Sequence, residues 1–170
     1  MKQVYQKIFG DNGDCMKASL CSILELDYDS VCNFVEYEDW WQRMEAVLNV
    51  NGYVWGKRFH NRKQQDIYRP TDCFQPFVTL DNASILESIS KEDTINGLLF
   101  GSVLSPGYFN YHEYPHWGLH MVVIDINCKI VFDPNPNYKG IDHYPFSRLI
   151  GFNGVLEAWG VKKLIKPTEI

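Results

Sequence analysis

The chain has 170 residues and a mass of 19.8 kDa, enough for one compact domain and too little for two ordinary ones, so residues 1–170 are read as a single domain. Hydrophobic residues make up 45% and aromatics 15%, a composition that excludes a disordered chain and leaves aromatics over to line a cleft. Sixteen Lys and Arg against 21 Asp and Glu give a net charge of -5, which lacks the basic footprint of a nucleic-acid binder. No run of about 18 apolar residues is present, so no membrane helix is expected. The start, Met1 to Lys7, has neither an apolar signal core nor a cleavage site, so the expected compartment is the cytoplasm.

Five cysteines, Cys15, Cys21, Cys32, Cys73 and Cys128, form an odd set with no CxxC pair. They do not read as a disulfide framework or as a zinc site, but as reduced thiols, most of them small buried hydrophobes.

The first element begins at Cys15. Met16, Ala18, Leu20, Ile23 and Leu24 recur at helical spacing, Asp14 stands where an N-cap would, and Gly10 to Gly13 read as a loop. A second helical region, capped at Asp29 or Ser30, carries Val31, Phe34 and Val35. It resumes with Trp40, Trp41, Met44, Val47 and Leu48 after a break near Tyr37 or Glu38. Asn51-Gly52 ends it and Tyr53-Val54-Trp55 reads as a strand. Lys57 to Pro76 is ambiguous, and Ser84 to Ser90 reads as a short helix. Leu98 to Leu104 is a strand candidate, and the β-branched run His120 to Ile126 is a stronger one. Asn127-Cys128 turns it into Lys129 to Asp133, and Pro134 and Pro136 end that strand. Phe152 to Ile165 fits either a strand or a helix. Helices first and an antiparallel sheet second define an α+β class.

Three positions in this layout carry chemistry. Cys15 opens a helix, where free N–H groups and the helix dipole favour a thiolate. His120 opens the strongest strand and Asp133 closes the strand paired with it, so hairpin pairing makes them neighbours. A nucleophile, a base and an acid that orients the base is the plan of a thiol hydrolase or acyltransferase. Taken singly, each residue also fits a structural role: a core thiol, a strand-end histidine and a turn-starting Asp. His112, His116 and His120 are spaced by four, but Pro115 and Gly118 break any helix that would align them, so no metal is expected. Asp142 and His143 form a further polar pair, read as a surface turn.

Gly13-Asp14-Cys15-Met16-Lys17-Ala18-Ser19-Leu20-Cys21-Ser22-Ile23-Leu24 resembles the nucleophile helix of small papain-like cysteine peptidases. That family is frequent in phages and bacteria and lies near the peptidases that process bacteriocin leaders at double-glycine sites. Ser105-Pro106-Gly107, His120-Met121-Val122-Val123, Asp133-Pro134-Asn135-Pro136 and Gly140-Ile141 resemble its later blocks in the same order. The resemblance spans Val4 to about Ile141. It implies a papain-like fold, with the nucleophile helix packed on a C-terminal antiparallel sheet. It further implies Cys15 as nucleophile, His120 as general base and acid, and Asp133 as the orienting acid. Gln6 lies where several members carry a glutamine, which in papain-like enzymes donates to the oxyanion. The alternative for Gln6 is a structural side chain on an exposed strand.

Where relatives carry a short Arg-Gly link before the histidine, this chain has the aromatic segment Tyr108 to Leu119. It reads as a cleft wall in which Tyr108, Tyr111 and Trp117 would contact substrate, or as aromatic packing over the sheet edge. The expected function is hydrolysis of an amide, peptide or isopeptide bond through a thioester, without a cofactor. The partner is then a peptide or protein substrate or a small amide, in the cytoplasm of a bacterium or of a phage-infected host cell. A Cys-dependent acyltransferase of transglutaminase type and a catalytically silent papain-like binding module are the alternatives. Oligomeric state is open.

Overall fold

The structure, a computed structural model, describes residues 1–9, 12–61, 77–80, 94–104, 119–135, 142–145 and 155–165. Its class is α+β. Helix α1 (Cys15–Leu24) and helix α2 (Trp40–Val50) precede the strands, with two single 3₁₀ turns, Tyr28–Ser30 and Phe34–Glu36, between them. The strands are β1 (Tyr53–Asn61), β2 (Phe77–Leu80), β3 (Leu98–Leu104), β4 (Leu119–Asp125), β5 (Ile130–Phe132), β6 (His143–Pro145) and β7 (Val155–Lys163).

Helix α1 is almost wholly buried from Lys17 to Leu24 and packs against β4 and β3. It stops at Glu25, which takes a left-handed φ of 58° while the Leu26 N–H closes onto the Cys21 carbonyl. The segment expected to be one helix from Asp29 or Ser30 is instead the pair of 3₁₀ turns. The expected break near Tyr37 or Glu38 falls just ahead of the true helix start after Asp39. Helix α2 buries Met44 and Leu48 against β1 and ends at Asn51, with Gly52 at φ 79°.

The seven strands form one sheet in the order β2-β1-β7-β3-β4-β5-β6. Every neighbouring pair is antiparallel except β1 with β2 at one edge. The sheet therefore begins at Tyr53 and is not wholly C-terminal. Strand β1 runs through Asn61, into the stretch that periodicity left ambiguous, and β7 resolves Phe152 to Ile165 as strand from Val155. Strand β7 inserts between β1 and β3, so its character is set by two partners remote in sequence. The expected helix at Ser84 to Ser90 lies outside the described residues.

One face of the sheet meets the helices. Leu20, Ile23, Phe34, Met44 and Leu48 pack with Trp55, Phe100, Val123, Phe132, Trp159 and Val161. Within this core Trp41 stacks on Trp55 with centroids 5.0 Å apart, and Phe100 and Trp159 meet at 5.9 Å. Leu99, Val103, Val122, Ile124, Val131 and Ala158, which alternate with these, are also fully buried. Burial on both faces explains why Met121 to Ile124 is a continuous apolar run with no polar alternation.

Two turns fix the end of the sheet opposite His120 and Asp133. Asn96 (φ 52°) and Gly97 (φ 76°) both lie in the left-handed region, with the Leu98 N–H on the Ile95 carbonyl, as a type I′ turn requires. A Cβ on Gly97 would stand 2.3 Å from the Asn127 amide nitrogen, which itself donates to the Asn96 carbonyl at 2.6 Å. Between β4 and β5 the Asp125 carboxylate accepts the N–H groups of Asn127 and Cys128, each at 2.9 Å, and sets the hairpin register.

Candidate active site

Strands β4 and β5 pair Val123 with Phe132 and Asp125 with Ile130. Carried on past the last pair, this register sets residue 135 opposite His120 and puts Asp133 diagonally beside it on the same face. The side chains meet there. His120 Nε2 lies 2.6 Å from Asp133 Oδ1, and both residues are buried, at 7% and 1% exposure. Asp133 is held by its neighbours: its Oδ1 accepts the Asn135 N–H at 2.9 Å, and its own N–H donates to the Asp142 carbonyl at 2.7 Å.

A carboxylate only accepts, so the contact places the Nε2 proton between His120 and Asp133 and leaves Nδ1 as the other ring nitrogen. Cys15, half-buried at the first position of α1, is the second residue acting on this ring. Burial by itself would lower the His120 pKa. Hydrogen bonding and charge from Asp133 and Cys15 outweigh it and push the value up to about 10. The described residues thus bring together Cys15, His120 and Asp133, which are 105 and 118 positions apart from the cysteine in sequence (120 − 15 and 133 − 15).

The remaining thiols differ. Cys21 is fully buried, and burial raises its thiol to about 11, against the opposing charges of Lys17 and Lys2. Cys128 is exposed on the hairpin turn and raised by a hydrogen bond with Asp125. Cys73 lies outside the described residues.

Asp14 stands at the N-cap position of α1, but its side chain makes no cap hydrogen bond, which corrects the expected role. Its carboxylate, fully buried, turns back instead. Oδ1 accepts the N–H groups of Lys7 and Ile8, each at 3.1 Å, and Oδ2 accepts the Tyr28 hydroxyl. The Tyr28 ring is itself covered by two ammonium groups, Lys17 Nζ at 3.7 Å and Lys7 Nζ at 4.0 Å. Tyr28 and Lys7 gave no signal in the sequence, because their part in the site depends on a loop folding back onto α1.

Gln6 is not on an exposed strand. It is 7% exposed and belongs to no regular element. Its backbone N–H donates to the Pro134 carbonyl at 2.9 Å, next to Asp133, and its side-chain Nε2 donates to the Ile8 carbonyl at 3.0 Å. Its Oε1 is buried with no hydrogen-bond partner among the described residues.

The expected polar pair Asp142 and His143 is more than a turn. His143 opens β6, its Nδ1 lies 2.9 Å from Asp142 Oδ1, and the Tyr5 hydroxyl donates to Asp142 Oδ2 at 2.5 Å. The Tyr5 and His143 hydrogen bonds hold the Asp142 carboxyl below its ordinary range. This knot anchors the N-terminal segment beside the backbone that fixes Asp133.

Tyr108, Tyr111 and Trp117, expected to contact substrate, lie outside the described residues, as do His112 and His116. Among the described residues no three His, Cys, Asp or Glu side chains are grouped to hold a metal ion, and no helix is long and apolar enough to cross a membrane. No family model, curated protein or solved structure matches the chain.

Proposed function

We propose that the chain is a thiol hydrolase of papain-like plan, cleaving an amide, peptide or isopeptide bond with Cys15 as nucleophile. The observation that carries this reading is the buried His120–Asp133 contact at 2.6 Å with Cys15 acting on the same ring from the first turn of α1. Each group has the chemistry its part requires. Cys15 opens a helix beside that ring, and a His120 pKa of about 10 keeps the imidazole protonated at neutral pH, ready to give a proton to a leaving amine.

The reaction runs in two halves. Cys15 Sγ attacks the carbonyl carbon, the C–O π pair moves onto oxygen, and the Cys15 N–H with the Gln6 amide receives that oxyanion. The oxyanion collapses, the C–N bond breaks, and His120 gives its proton to the leaving amine. The acyl group is now a thioester on Cys15. Water then attacks the thioester carbon while His120 takes one of its protons. The C–S bond breaks, releasing the acid and restoring the imidazolium and thiolate. Asp133 holds the ring in place through both halves.

The test is a digestion of a denatured, mixed-sequence peptide library, with new termini read by mass spectrometry, for the unaltered protein, Cys15→Ala and His120→Ala. New termini that vanish in both variants are expected. Termini that persist in Cys15→Ala overturn the assignment. So does a Cys15 that forms no acyl adduct with activated esters.

A further inference from the structure

The N-cap position of α1 holds an acid that does not cap. Asp14 is fully buried, immediately precedes Cys15, and spends its carboxylate on the backbone of residues 7 and 8 and on Tyr28. The loop is fastened at a second point, where the Asp14 N–H donates to the Ile8 carbonyl at 3.2 Å. That same carbonyl accepts the Gln6 side chain at 3.0 Å. Asp14, Ile8 and Gln6 therefore form one closed circuit, and its far end is pinned by the Gln6 N–H on the Pro134 carbonyl. Nothing in helix formation requires this arrangement. A capping Asp satisfies its own helix, whereas this one leaves the helix uncapped and organises a separate segment.

We infer that Asp14 is a positioning residue for the oxyanion donor: through Lys7 and Ile8 it fixes the Gln6 amide relative to the sulfur of Cys15. Because Asp14 and Cys15 are adjacent in the chain, the nucleophile and the anchor of the donor share one peptide unit. Any movement of the helix start carries both together. Tyr28, gripped between Lys7 and Lys17, is the lock on the other oxygen of Asp14. The assignment rests on the proposed thiol chemistry and says how that site is held.

Two probes of the same sulfur separate positioning of the oxyanion from reactivity of the thiol. Iodoacetamide alkylates by displacing iodide at a saturated carbon, and no oxyanion forms. With p-nitrophenyl acetate, Sγ bonds to the acetyl carbon, a tetrahedral oxyanion forms, and p-nitrophenolate leaves with the C–O electron pair. Rates at Cys15 are read by peptide mass spectrometry for the unaltered protein, Asp14→Ala and Asp14→Asn, with near-ultraviolet circular dichroism reporting the fold. Losing an oxyanion donor outright costs roughly 10²–10³ in rate, so a displaced donor is expected to slow acetylation about tenfold or more in Asp14→Ala. Alkylation should stay within about twofold, since no oxyanion is formed in it. Asp14→Asn keeps one acceptor oxygen and should recover part of the loss.

Equal slowing of both probes, or of neither, overturns the assignment. If Asp14→Ala does not fold, Tyr28→Phe carries the test, removing only one donor onto Asp14, and it must slow acetylation selectively. If unaltered Cys15 is acetylated no faster than half-buried Cys32, the thiol-hydrolase reading itself fails. This assignment then falls with it, before any Asp14 variant is compared.

Discussion

Replacing Asp133 with Asn tests the electrostatics at the centre of the site. The substitution keeps size and an acceptor oxygen for the Asn135 N–H but removes the charge that His120 Nε2 meets at 2.6 Å. His120 moves from 6.5 to about 10, against the cost of burial. At about 1.4 kcal/mol per pH unit, that is about 5 kcal/mol of preference for the imidazolium in the folded state. Burial opposes that preference, so the attractions of Asp133 and Cys15 together exceed it, and the part due to Asp133 is that of a hydrogen bond to a charged group, about 1.5–3 kcal/mol. The folded pKa is raised, so this stability is fully present below pH 6.5 and is lost as pH climbs through about 10. Urea unfolding of the unaltered protein and Asp133→Asn, at half-unit steps from pH 6 to pH 10.5, reads the difference directly. Titrations common to both proteins cancel in that difference. The gap should be about 1.5–3 kcal/mol at pH 6, as for a hydrogen bond to a charged group, and should close toward the ordinary value of a neutral hydrogen bond, about 1 kcal/mol, by pH 10.5. A gap that stays constant, or widens with pH, refutes the argument that Asp133 stabilises a charged His120.

Other expectations follow from the same structure. Native-state alkylation with iodoacetamide at pH 8 should label Cys15 and leave Cys21 unlabelled until urea is added, because Cys21 is fully buried and its thiol raised to about 11. Peptide-resolved mass spectrometry checks both sites at once. Arg58 and Glu157 form a buried pair at 2.5 Å within the sheet, and burial raises the Glu157 carboxyl against the charge of Arg58. Arg58→Met should cost about 3–5 kcal/mol in chemical denaturation by removing the charge that meets that buried acid at 2.5 Å, and Arg58→Met with Glu157→Leu should recover most of it. A single variant as stable as the double would contradict this. Gly97→Ala should lower stability by about 1–3 kcal/mol, since it combines a left-handed φ with a clash on the Asn127 amide, and a thermal melt measures it.

Much of the layout is legible in the residues themselves. The spacing of Ala18, Leu20, Ile23 and Leu24 specifies α1, and Asn51-Gly52 ends α2 because glycine takes the left-handed turn at no steric cost. The hairpin of β4 and β5 was equally readable, with β-branched runs on either side of a polar turn, and it alone made His120 and Asp133 neighbours. The Asn96-Gly97 turn was a signal of the same kind and would have marked the start of β3. The 3₁₀ turns between the helices could not be told from a helix, since Val31, Phe34 and Val35 keep a helical spacing over too short a span.

The remainder was settled by long-range packing. Strand β7 is a strand because β1 and β3 leave a gap with unpaired backbone groups on both sides, a demand that no local pattern within Val155 to Lys163 expresses. Asp14 reads as a cap from its neighbours alone. It becomes the anchor of Lys7 and Ile8 because the N-terminal segment is drawn back over α1 by Pro134, Asp142 and Tyr28. The sequence by itself determined which side chains could carry the chemistry: a thiol at a helix start, an imidazole at a strand start, an acid at a strand end. Only the tertiary structure decided the charge on His120, because it depends on burial and on Cys15, far away in the chain, as well as on Asp133 across the hairpin.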